Sequence, residues 1–335
     1  MLRTLACVLL LSSLHAQEPP KVHAGLQAAK SWLPDDHKNY VSVDFAALRK
    51  TEVWDDLEAS LLSAVFKMAE QELGFPLAGL DRLTMVGVTG HQGRRVADVV
   101  VFEGNRALPV ALRWSAAERS ETEGVVVHQS AGSQKMLVQP RPELQVVGSD
   151  VLLVPVLQGK PHRGMPAPDV MSLLSGRLSP LVSLVVNVGD PAMGLALQRL
   201  LPDSQWPDDD APQFLAMCLQ AVGDPDDLHL RVEARLRHGK AGAGLEVSKT
   251  AAKQWLAQLR DDPRLRAARG VIETAQFEVE ATDLVLRADL GRVRQAVGTV
   301  ATLALPLFPT GTRASVQVVE PPPPPPPPLP PAGGK

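Results

Sequence analysis

Leu228-His229-Leu230-Arg231-Val232-Glu233-Ala234-Arg235-Leu236-Arg237 is the stretch that decides the fold class. Apolar residues at 228, 230, 232, 234 and 236 alternate with polar ones at 229, 231, 233, 235 and 237. A strand sends successive side chains to opposite faces, so this pattern predicts a sheet with one buried and one wet face. Sheets wetted on one side are antiparallel. Arg231, Arg235 and Arg237 on the wet face, with Gln276, Glu278 and Glu280 on that of a later strand, are placed for opposite charges to meet across neighbouring strands.

Working outward, a glycine-rich turn (Gly239, Gly242, Gly244) leads through Leu245 to Val247 into a helix near 250–259, with Thr250 as its N-cap. Phe277/Val279 and Leu284/Leu286/Ala288 predict a hairpin, and a last helix spans 292–303. Upstream, 181–188 reads as a strand and Pro191 suits the first turn of a helix reaching Leu201. An acidic loop covers 206–212, and 214–222 reads as a short apolar helix.

The first half has a similar order. Tyr40-Val41-Ser42-Val43-Asp44-Phe45 alternates as a strand. Trp54, Leu57, Leu61, Val65 and Met68 share one face of a helix over 51–73, which Gly74 ends and Pro76 keeps from restarting. A hairpin follows at 82–88 and 95–103, turning through Gly90, His91, Gln92 and Gly93. Shorter strand-like runs lie at 125–128, 135–138, 144–147 and 151–154, before a short helix at 168–174.

Each half therefore begins strand, helix, strand, strand, with hairpins in place of parallel crossovers. The expected class is α+β, as two similar units, each a mainly antiparallel sheet with helices packed on one face. Tyr40 to Ala46 resembles Leu184 to Ala192, as a diverged duplication would leave it, or as two short apolar strands would match by coincidence. The boundaries are a signal peptide at 1–16, a lead-in at 17–38, a first unit at 39–178, a second at 179–310 and a disordered proline-rich tail at 311–335.

The leader has Arg3 before an apolar run from Leu5 to Leu14, too short for a bilayer span, and cleavage is expected after Ala16. Cys7 lies inside that run, which argues against a lipid anchor there. The tail carries the run Pro321 to Pro328, which in polyproline II extends about 25 Å. It reads as a stiff spacer, or as a ligand for a partner's aromatic groove. The expected location is exported, periplasmic or extracellular, with no membrane span once the leader is removed.

The net charge of -3 offers nucleic acid no electrostatic partner. Aromatic residues make up 4% of the chain, too few for a surface of stacked aromatic platforms. Cys218 is the single cysteine beyond the leader, so no internal disulfide forms there, and its apolar neighbours mark it as a small buried hydrophobe.

The search for chemistry yields no catalytic, cofactor-binding or metal site. The histidines are scattered, without HExxH, HxH or a CxxC partner. Asp35-Asp36-His37 reads as a solvated loop. Asp203, Asp208, Asp209 and Asp210 are the densest carboxylates but lack an EF-hand pattern, and Asp224, Asp226 and Asp227 read as turn residues. No G-x-S-x-G occurs, and Gly239-Lys240-Ala241-Gly242-Ala243-Gly244 departs from the phosphate-binding registers, though an anion at the following helix N-terminus is superficially suited. A Ser-His-Asp set would have to be assembled from distant positions.

Leu33-Pro34-Asp35-Asp36, then Tyr40 to Arg49 with Trp54, and later Leu144-Gln145-Val146-Val147-Gly148-Ser149, resemble uncharacterised exported bacterial proteins that join a signal peptide to duplicated sheet-plus-helix units. The resemblance implies a fold and brings no activity. The functional expectation is an exported, non-enzymatic binding or structural protein of the cell envelope, with an envelope protein as partner and no cofactor. The alternatives are a hydrolase with dispersed residues or a small-ligand carrier.

Overall fold

The computed structural model describes residues 29–292, apart from 52–53, 55–66, 68–69, 72–74, 90–94, 111–116, 123, 130–133, 175–179, 202–203, 208 and 223–228. The leader, the proline tail, the expected last helix and most of the expected 51–73 helix lie outside the described residues.

Among the described residues, twelve strands form one sheet. They are β1 (Asn39–Asp44), β2 (Leu80–Thr89), β3 (Arg95–Gly104), β4 (Glu118–Thr122), β5 (Val125–Gln129), β6 (Lys135–Arg141), β7 (Leu144–Ser149), β8 (Val182–Asn187), β9 (Pro212–Val222), β10 (His229–His238), β11 (Gln276–Glu280) and β12 (Asp283–Arg292). The helices are α1 (Phe45–Leu48), α2 (Asp150–Leu157), α3 (Pro168–Leu174), α4 (Pro191–Leu200), α5 (Ala243–Asp261) and α6 (Arg269–Thr274). The spatial order is β11-β12-β10-β9-β8-β1-β2-β3-β7-β6-β5-β4, and every neighbouring pair is antiparallel.

Two expectations are corrected here. The two units share one sheet, because β1 pairs with β8 as well as β2, with Val41 opposite Leu184 and Met85. The helices also cover both faces. On the first face, Val41, Leu83, Met85, Val100 and Phe102 pack with Phe45 and Leu48 of α1. Farther along it, Leu236 and Leu284 pack with Leu245, Ala251 and Ala252 of α5 and Leu197 of α4. On the second face, Val86, Val99, Val101, Val138 and Val146 pack with Leu153, Val156 and Leu157 of α2 and with Trp32. Val185, Phe214 and Ala216 of that face meet Val170 and Leu173 of α3.

Double coverage explains the misread segments. Residues 214–222, expected to be a helix, are strand β9. Phe214, Ala216 and Cys218 are buried on the second face, while Leu215 and Leu219 turn to the first, so both sets are apolar and the alternation vanishes from the sequence. Val151 to Val154, expected to be a strand, lie in helix α2. There Leu153, Val156 and Leu157, three and four apart, are the buried positions. Strand β4 was not expected at all, since all five of its residues are exposed. Its Glu118, Arg119 and Glu121 suit a sheet edge, where charge discourages pairing with another chain.

Strand β1 ends because Asp44 changes role. Its Oδ1 accepts the Ala47 N–H at 2.7 Å and caps α1, while its Oδ2 receives Arg82 at 3.1 Å. The hairpins β2/β3 and β11/β12 form where expected.

Candidate functional site

Two places gather polar side chains: the wet face of β10–β12–β11, and the point where the end of β10 meets the start of α5.

On the wet face, Arg235, Arg237 and Arg287 interleave with Glu233, Glu278, Glu280 and Asp283. Register places Glu233 opposite Arg287, Glu278 opposite Val285 and Arg237 opposite Asp283. Arg237 grips Asp283 with two parallel bonds, Nε to Oδ1 at 2.7 Å and Nη2 to Oδ2 at 2.8 Å. Arg235 donates to Glu233 at 2.6 Å and to Glu280 at 2.7 Å. Arg287 donates to Glu233 at 3.0 Å and also to Glu278 and Glu280. The bond from Arg287, then that from Arg235, outweighs burial and holds the Glu280 carboxyl below the usual carboxylate range. The Asp283 bond pushes Arg237 up despite burial. Burial opposes the charge on Arg235, but its bonds to Glu233 and Glu280 prevail and raise it. Arg237 also reaches Ser172 and so ties the lattice to α3. Cross-strand charge pairing is thus found as the alternation implied. With three arginines against four carboxylates, mutually bonded, the face is nearly neutral and stiff. Arg231, Gln276 and Glu278 remain exposed on it.

The second gathering is a convergence of Asp, His and Ser that spacing did not reveal. The His238 ring, 1% exposed, makes two contacts: Nδ1 to the Asp210 carbonyl at 3.0 Å and Nε2 to Ser248 Oγ at 3.0 Å. A carbonyl can only accept, so Nδ1 carries the proton and Nε2 receives the Ser248 hydroxyl. Trp206 Nε1 donates to the same Oγ at 2.8 Å. In outline this is a serine held by a histidine whose far nitrogen is anchored. Its burial argues otherwise: Ser248 is 0% and Asp210 3% exposed, and the anchor is a backbone carbonyl where a triad would have a carboxylate. The residue is shut off from solvent, and its hydroxyl, held by both His238 and Trp206, braces the sheet against α5.

The glycine run belongs to the same knot. It leads into α5, which starts at Ala243, so Thr250 is an exposed residue inside the helix and caps nothing. The N-terminus is capped by Asp210, whose Oδ2 accepts the Gly244 N–H at 2.7 Å. The position that superficially suits an external anion therefore holds the chain's own carboxylate. A Cβ on Gly244 would lie 1.9 Å from the Asp210 carbonyl oxygen, and one on Gly242 would lie 2.5 Å from Asp210 Oδ2. The glycines are there to let the Asp210 loop close onto the helix.

The Asp35-Asp36-His37 turn is a solvated loop only in part: Asp36 is exposed, but His37 is not. His37 is 1% exposed, stacks on Tyr40 with ring centroids 6.0 Å apart, and its Nδ1 donates to the Pro34 carbonyl at 2.8 Å. Its Nε2 has no partner among the described residues, and burial pushes the ring's pKa down. Asp35 accepts the N–H groups of Met165 at 3.0 Å and Arg163 at 3.3 Å, so it pins the 163–165 loop. His128 is likewise buried and pushed down, by burial and by Arg119.

Asp209 pairs with Lys240 at 2.7 Å, whereas Asp203, Asp208, Asp224, Asp226 and Asp227 lie outside the described residues. Among the described residues no three His, Cys, Asp or Glu side chains gather closely enough to hold a metal ion, and no helix is long and apolar enough to cross a membrane. Cys218 is buried and forms no disulfide among the described residues, as its apolar neighbours implied.

No family model and no curated protein matches the chain. Among solved structures it is similar to crystal form I of TP0453, with 12% identity and a TM-score of 0.44, over 82% of this chain and 97% of that one.

Proposed function

We propose that this is an exported, non-enzymatic protein of the bacterial cell envelope that binds or braces a protein partner, one of the exported proteins built from two diverged copies of an α+β unit. The lattice face of β10–β12–β11 carries the binding reading. It is stiff, nearly neutral and presents Arg231, Gln276 and Glu278 outward. A pre-ordered polar face loses little side-chain freedom on docking. The sealed state of Ser248 supports the non-enzymatic half of the reading. Export rests on the basic-apolar leader at 1–16, and reach on the proline segment at the other end.

Duplication draws support from topology. The order β3-β2-β1 against β8-β9-β10 is what a two-fold axis between antiparallel β1 and β8 generates. In each half a helix follows the central strand, and the last strand of a later hairpin, β7 or β12, returns beside the third.

The test is mild in-cell crosslinking of the tagged full-length protein in a Gram-negative host, with and without residues 320–335, and with a photo-crosslinker at Gln276. The expected result is a processed chain beginning near Gln17 in the envelope fraction, joined through position 276 to one stoichiometric protein. An unprocessed cytosolic chain would refute export. The absence of any adduct from either form would refute the partner reading.

A further inference from the structure

A cavity of about 320 Å³ opens on the first face of the other half of the sheet, lined by Phe75, Pro76, Gly79, Arg106, Ala107, Leu108 and Pro109. Two loops build it, one entering β2 and one leaving β3. They are stapled together: the Asn105 N–H donates to the Gly79 carbonyl at 3.0 Å, and Asn105 Nδ2 to that of Ala78 at 3.1 Å.

The outer loop is held from below by two buried amides. Gln145, 0% exposed, donates through Nε2 to the carbonyls of Leu108 at 3.0 Å and Pro109 at 2.9 Å. Gln139, also buried, donates to Leu108 at 3.3 Å and to Pro142 at 3.2 Å. The Leu108 N–H donates to the Pro142 carbonyl at 2.8 Å. Burying an amide is costly unless it is bonded, and here two are buried to fix one surface loop. Gly104 belongs to the same arrangement, since a Cβ there would meet Leu108 at 2.7 Å. The floor is equally fixed, with Phe75 edge-on to Phe102 at 6.3 Å. The walls are therefore preformed, and preformed apolar walls with one polar group are how small-molecule sites are built. That polar group is the Arg106 guanidinium, which lies along Gly79 and makes no ion pair among the described residues.

We propose that this cavity is a binding site for a small organic carboxylate with an apolar body, the carboxylate on Arg106 and the body against Phe75, Pro76, Leu108 and Pro109. The volume sits at the lower end of the range for ligand sites, which favours a short chain or a single ring over a long lipid. The site is separate from the lattice face and does not depend on export.

Octanoate is the probe, 1-octanol its uncharged counterpart, and isothermal titration calorimetry on the full chain the assay. Octanoate should saturate with a dissociation constant of about 1 mM or tighter, as its size permits, and octanol should bind more weakly. Arg106→Gln, at an exposed position, should weaken octanoate at least tenfold and leave octanol unchanged. Ala107→Trp, also exposed, should fill the cavity and abolish both. A diazirine analogue of octanoate should label peptides within 75–79 and 105–109. Failure of octanoate to saturate, equal octanoate affinity in Arg106→Gln, or labelling confined to other peptides would each overturn the proposal.

Discussion

Gly244→Ala is the substitution on which the packing argument turns. Inside a helix, exchanging glycine for alanine ordinarily stabilises by about 1 kcal/mol. At Gly244 the sign reverses. The new Cβ would stand 1.9 Å from the Asp210 carbonyl oxygen and 3.0 Å from Asp210 Cγ. Ordinary contacts lie at about 3.5 Å, so the loop must retreat by roughly 1.5 Å. That movement strips the carboxylate cap from the Gly244 N–H and the carbonyl from His238 Nδ1. Losing the cap costs about 1 kcal/mol, and a buried donor left unpaired costs about 1–3 kcal/mol more. Set against the propensity gain of about 1 kcal/mol, the net is roughly 1–3 kcal/mol of destabilisation, a sizeable part of a domain's stability. Gly270, in α6, is the control: nothing lies within 4 Å of its added Cβ. Gly270→Ala should stabilise by up to about 1 kcal/mol. Urea unfolding followed by circular dichroism reads both, with unchanged slopes. A Gly244→Ala protein as stable as the parent would refute the knot as drawn.

Asp283→Asn should destabilise by about 2 kcal/mol, because its side chain is 5% exposed and Arg237 would keep a desolvated charge with half its partner gone; chemical denaturation at two salt concentrations checks it, and a cost that vanishes at high salt would mark the pair as mere surface. His37 and His128 have depressed pKa values in the fold, so the unfolded chain binds more protons below the ordinary value. The stability they contribute is full above about pH 6.5 and is lost as pH falls through their folded values, with a slope of up to about 1.4 kcal/mol per pH unit for each. A stability profile flat from pH 7 to pH 5 in which His37→Phe and His128→Phe match the parent would contradict this. Trp206→Phe removes the donor to Ser248 Oγ and should cost about 1 kcal/mol by the same denaturation assay.

What the sequence disclosed follows from solvent. Strand β10 was legible because water wets one of its faces and forces charge onto alternate positions. Strand β9 was not, because α3 and α5 flank its two faces with apolar partners and leave no polar beat. Strand β4 is polar throughout and reads as a loop, although its backbone completes the sheet. The single sheet was hidden for another reason: nothing in Tyr40 to Val43 states that its second edge pairs with 182–185. The Asp210-His238-Ser248 knot is a product of topology alone, since β10 carries His238 to the mouth of α5. Its one local trace is the glycine spacing 239, 242 and 244, which signals close approach and resembles a phosphate loop from sequence. The pocket around Arg106 leaves no trace either, because Gln139 and Gln145 look like ordinary strand residues until their carbonyl partners are known.

The non-enzymatic reading is tested most directly by treating the folded protein with a fluorophosphonate probe and locating any adduct by peptide mass spectrometry. A sealed, structural Ser248 predicts no labelling of that residue under native conditions, and labelling only after unfolding at the low level of any serine. Rapid stoichiometric modification of Ser248, lost in His238→Gln while the fold persists, would show a working nucleophile and contradict the account.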